Sequence, residues 1–313
     1  MKIDLGYIGA IAARNREKRL FETTNVMAGK QVEVIKNGTA YQITFSDEFK
    51  QVQGLMRMTM EEFFSKDINV KNADPSDLFS YRPQDQWLIF SQYLHEAKYF
   101  DSLSDENVKD IESILQHITD GIDSIAKYTG INLFGIKKQQ LQSYEAQLEL
   151  ASSTAALEYF SNKFLSGDVK AGFDQLIQEY VQHNTKKVME YQSEEERFYA
   201  ARAKIKWINA PRTSEQSQLL SMTNKLGKTI YTHEEIQSVI KNYEELYKQI
   251  KDEESLASTL LEIKEQLLSF VIKGISPMDA DYQLSREFVS QHSEETFKRI
   301  ENYWKLLLQG EQA

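Results

Sequence analysis

The 313-residue chain contains no cysteine. That absence removes disulfides, thiolate nucleophiles and cysteine-ligated metals together. It also lacks any uninterrupted apolar run of about 18 residues, the minimum for a helix that spans a bilayer, so no transmembrane segment is expected. Histidine is scarce: His95, His117, His183, His233 and His292 are the only five. None has a glutamate three positions before it, the spacing that puts two ligands on one helix face in di-metal bundles, and His-Glu-x-x-His does not occur. No Gly-x-Ser-x-Gly elbow supplies an activated serine.

Two near misses fail on their spacing. Gly130 and Gly135 bracket four residues as in a phosphate-cradling loop, but Ile136 occupies the lysine slot, and a turn between helices is the simpler reading. Asp67-Ile68-Asn69 opens like a calcium loop, yet Asn72 stands where glycine must turn and Leu78 where a bidentate glutamate must close the shell. No metal and no cofactor is expected. Adjacent acids such as Glu61-Glu62, Glu194-Glu195-Glu196 and Glu234-Glu235 read as solvated helix faces, because neighbours on a helix point about 100° apart.

With 37 basic and 47 acidic residues the net charge is −10. Such a field repels nucleic acid and anionic head groups, so neither is the expected partner. The hydrophobic share of 41% and charged share of 27% suit a folded chain with a well-solvated surface.

What is present is helical periodicity. Leu5, Ile8, Ile11, Ala12 and Leu20 mark an amphipathic helix whose basic stretch, Arg14, Arg16, Lys18 and Arg19, follows an apolar half. Contact of residues 5–20 with a membrane surface is the functional reading of that asymmetry; packing on its own domain is the alternative, and Asp4, Glu17 and Glu22 dilute the charge. A cleaved leader is not expected, since the small-residue site falls inside the apolar run. Residues 31–46 then alternate with period two around Asn37-Gly38, the pair that accepts the positive φ of a tight hairpin turn. Asp47 opens a helix through Phe49, Leu55 and Phe63, and Asp67 to Gln86 is too long for an ordinary connection.

From Gln84 onward helices follow one another. Their apolar positions include Trp87 to Ala97, Val108 to Ile125, Leu141 to Phe164, Phe173 to Ile205, Ile236 to Ile250, Leu256 to Val271 and Leu284 to Leu308. Thr232 and Glu235 form a capping box before Ile236, and the later helix of Leu256 to Val271 ends at Gly274 with Pro277 just beyond. The expected fold is mainly α: a multi-helix bundle with long antiparallel helices and one N-terminal β-hairpin. The expected division is 1–80 for the N-terminal helix, hairpin and helix, and 81–313 for the bundle.

Ile122-Asp123-Ser124-Ile125-Ala126-Lys127-Tyr128-Thr129-Gly130-Ile131-Asn132-Leu133-Phe134-Gly135 resembles a helical region of bacterial flagellins, in which a helix runs into a threonine and a Phe-Asn-Gly turn. Here the order is Asn132-Leu133-Phe134-Gly135, so that turn is broken, and the asparagine-rich N-terminal pattern is missing. The resemblance implies a self-assembling or exported helical subunit.

Many amphipathic helices without site chemistry point first to a non-enzymatic, cytoplasmic protein that binds another protein through an exposed helix face. A leaderless exported or self-assembling subunit comes second, and an enzyme of unfamiliar type third. The contact residues singled out are Tyr7, Ile8 and Ile11 near one terminus and Trp304, Leu307 and Leu308 near the other, compact apolar clusters where packing partners are fewest. Cover of the protein's own core is the alternative for both clusters.

Overall fold

The computed structural model describes residues 74, 76–127, 140–203 and 214–310, together with the backbone of two short strands, β1 (Gln31–Lys36) and β2 (Thr39–Thr44). The strands pair antiparallel, with Val34 opposite Tyr41 and Lys36 opposite Thr39. The Asn37-Gly38 turn, the N-terminal helix and the helix expected after Asp47 lie outside the described residues. So do Tyr7, Ile8 and Ile11, and most of the flagellin-like segment beyond Lys127.

The rest is mainly helical. In chain order the helices are α1 (Trp87–Glu96), α2 (Asp105–Lys127), α3 (Ser143–Phe164), α4 (Gly167–Glu190), α5 (Glu194–Ala203), α6 (Ser214–Leu226), α7 (His233–Tyr247), α8 (Glu253–Val271), α9 (Tyr282–His292) and α10 (Glu294–Gln309). Two compact units are distinguished. One comprises the strands and Ser91–Ser113, the other Ala73–Phe90 and Ile114 onward. In the first, the buried Glu112 accepts from the Ser91 hydroxyl at 2.7 Å, and His95 stands edge-on to Phe100.

The second unit is organised around α3. This helix packs against α4, α7 and α10 and is buried nearly all round, from Tyr144 to Leu157 without a break. A helix buried on every side cannot show a one-sided apolar stripe, and its Ala-Ser-Ser-Thr-Ala-Ala stretch lets neighbours approach closely. The unit's core also holds Phe90, Phe160, Phe173, Tyr180, Ile263 and Leu267, all essentially inaccessible. The Asp67–Gln86 connection is not bare loop where it is described: Asp77 accepts from the Phe79 amide, starting a 3-10 turn that buries Phe79 against Phe90 and Tyr180.

Two expected helices are interrupted. The long segment after Gly167 stops at Glu190, because Ser193 restarts it: its hydroxyl accepts from the Glu196 amide at 3.0 Å, and Glu196 accepts from the Ser193 amide at 2.8 Å. This is a capping box. The last helix breaks at Ser293, whose hydroxyl turns back onto the Val289 carbonyl at 2.9 Å and ends the α9 ladder. Glu294 and Glu295 then occupy the first turn of α10, where negative charge favours a helix start.

Candidate interaction surface and the buried polar core

The acids in the interior of the second unit hold structure. Glu196 serves two helix starts at once, accepting from the Ser143 amide and hydroxyl (3.0 and 2.6 Å) at the head of α3 while closing the cap of α5. Gln142 locks the same junction by accepting from the Ser193 hydroxyl at 2.7 Å and donating to Glu195 at 2.9 Å. One turn into α3, Glu145 accepts from the Gln142 amide and from the Thr296 hydroxyl on α10, both at 2.8 Å. Burial pushes its pKa up to about 7; these hydrogen bonds and the Arg299 charge oppose the rise without cancelling it.

Glu149 is fully buried and paired with Arg299, whose Nε reaches it at 2.9 Å and whose Nη2 grips the same oxygen. Burial raises its pKa too. Its other oxygen faces Gly121, where an added Cβ would stand 2.2 Å away; only glycine allows α2 and α3 this approach. Farther along, the Ser152 hydroxyl accepts from Tyr303 and from the Trp304 indole, the latter at 3.0 Å, and Ser153 shares a hydrogen with Tyr180 at 2.9 Å. These groups explain in part how so polar a helix is buried: Glu145, Glu149 Oε1, Ser152 and Ser153 meet partners on the surrounding helices, while Tyr144 Oη, Gln147 Oε1 and Glu149 Oε2 are buried without a hydrogen-bond partner among the described residues. Among the described residues no His, Asp and Glu side chains gather as a metal-binding group.

The surface feature of note lies where two connections meet. The loop from α6 to α7 and the loop from α8 to α9 touch at Gly274, whose Cβ, if present, would come 2.6 Å from Thr229 Oγ1. Lys225 bridges to Asp279 and Asp281 at 2.5 and 2.6 Å, and its ammonium holds both carboxyls below their ordinary values. Ser221 donates to Asp281 at 2.6 Å, and the Tyr231 hydroxyl donates to the Val271 carbonyl at 2.8 Å. Lys273 reaches Glu235 at 2.6 Å while lying over the Tyr231 ring. Glu235 is also the closing residue of the Thr232 capping box, which the structure contains.

From this pinned pair of loops two apolar side chains project: Ile230 at 84% exposure and Met278 at 96%, the most exposed large apolar residues described. Sequence reasoning missed both. The available signal was an isolated apolar residue inside a short polar connection, with no helix face to belong to.

Trp304 and Leu307 are wholly buried and Leu308 is half-buried, so the C-terminal cluster is covered by the unit's own core. Trp304 lies parallel to Tyr247 with ring centroids 6.0 Å apart. The structure does not bring these residues to the exposed loop pair. No described helix is long and apolar enough to cross a membrane. Comparison of the chain with protein families, with characterised proteins and with solved structures finds no match.

Proposed function

We propose that the chain is a non-enzymatic helical protein that binds another protein, and that Ile230 and Met278 form the described part of its contact surface. The observation that carries this reading is the exposure of two large apolar side chains on adjoining loops already held by ion pairs and hydrogen bonds. Apolar surface on a preorganised platform binds with little further ordering cost, which is what an anchor residue requires. The apolar residues Tyr7, Ile8 and Ile11 belong to the same proposal as a second contact region, and a tight hairpin turn at Asn37-Gly38 belongs to its fold. The cytoplasm is the compartment it assumes.

A photo-crosslinking residue placed at 278 in cells should yield a discrete adduct with one partner. That adduct should disappear on Ile230→Ser with the melting temperature unchanged. No adduct, or one indifferent to residue 230, would sink the reading. A self-assembling subunit is the second reading, supported by the flagellin-like stretch 122–135; adducts of twice the chain mass, with a mass that rises with concentration in light scattering, would favour it.

A further inference from the structure

A cavity of about 370 Å³ opens between α2 and α10, lined by His117, Glu295, Lys298, Arg299, Asn302 and Leu306, with Tyr303 at its floor. That volume falls in the lower range of small-molecule sites. We propose that this cavity binds a small monocarboxylic acid with an apolar body, whose carboxylate takes the free edge of Arg299.

Arg299 is the group that selects this chemistry. Its Nε and Nη2 are both spent on Glu149 Oε1, and Nη2 makes a further long contact to Thr296 at 3.4 Å. Its Nη1 donates to no described residue, although the side chain is only 27% exposed. Guanidinium is planar, so fixing two nitrogens on a buried carboxylate fixes the direction of the third. Arg299 therefore presents a rigid donor to the cavity and loses little rotational freedom when an acceptor arrives. Asn302 and His117 are exposed and make no side-chain bond to described residues, so an amide and an imidazole stand ready beside it.

Charge narrows the ligand. Lys298 is neutralised by Glu294 at 2.7 Å, Arg299 is paired with Glu149 and also feels the Asp120 carboxylate, and Glu295 adds a further negative charge at the mouth. A dianion such as a phosphate monoester would meet that carboxylate unfavourably, whereas a monoanion fits the single open edge of Arg299. The remaining wall is hydrocarbon, chiefly Leu306 and the stems of Lys298 and Arg299, which suits an apolar body. The site is separate from Ile230 and Met278 and does not depend on the protein-binding reading.

Calorimetric titration of the full chain with octanoate, octanol and inorganic phosphate tests the proposal. Octanoate should bind saturably at one site, octanol at least about tenfold more weakly, and phosphate not at all. Arg299→Lys keeps a cation for Glu149 but loses the planar edge, and should weaken octanoate by about tenfold with the helical circular dichroism retained. Because that variant alters a buried ion pair, Asn302→Ala and His117→Ala at exposed positions provide the second arm; each should weaken octanoate severalfold with melting unchanged. The proposal is overturned by no saturable octanoate binding, by octanol binding as tightly as octanoate, by phosphate binding in its place, or by variants that bind like the parent.

Discussion

Glu145 shows how one buried carboxyl reports on the core. Its folded pKa of about 7 lies above the ordinary 4.5, so the folded state holds a proton through a range where the unfolded chain has released it. Stability from this group is therefore present below pH 4.5 and is lost as pH rises to 7 and beyond; the full difference corresponds to about 3 kcal/mol. Glu149 and Glu196, also raised by burial, act in the same sense. His183 acts in the opposite one: burial holds it below 6.5, so its contribution is lost as pH falls beneath that value. Glu145→Gln keeps an acceptor for Thr296 and removes the proton. Urea unfolding from pH 5 to 8 should find the variant gaining on the parent steadily as pH rises. Parallel curves would show that Glu145 titrates normally.

At the scale of elements, what decides a helix's length is its ends, and these were unevenly legible. The Thr232–Glu235 box stands before an apolar run with helical spacing and could be read directly. Ser193 to Glu196 has the same spacing, but it sits inside an apolar periodicity running from Phe173 to Ile205, which suggests one continuous helix. Only the tertiary partner at the head of α3 makes the break visible, because Ser143 and Gln142 consume the groups that Glu196 and Ser193 offer. Ser293 was hidden in the same way. Glu196→Ala should therefore disturb two helices at once, leaving the amides of Ser143 and Ser193 without their acceptor. A loss of about 2 to 4 kcal/mol in urea unfolding is expected, more than a single cap is worth. A loss no larger than one ordinary cap would show that the two junctions are independent.

At the scale of the second unit, the helical class followed from periodicity, but its centre did not. α3 is recognised as a core helix only by its neighbours: Glu145 meets Thr296, Glu149 meets Arg299, and Ser152 meets Tyr303 and Trp304, partners about 150 residues away in sequence. Such polar groups can be buried only when α10 has docked, since before that each would face water or an unmatched neighbour. Trp304, fully buried against Tyr247 and Tyr159, is the largest side chain in that closure. Trp304→Ala should cost about 3 to 5 kcal/mol by cavity formation and the lost indole bond. The loss should appear as one cooperative transition, because the helices around α3 share a single core. Were the variant as stable as the parent, Trp304 would not be holding α10 to α3, and its face would be open to a partner.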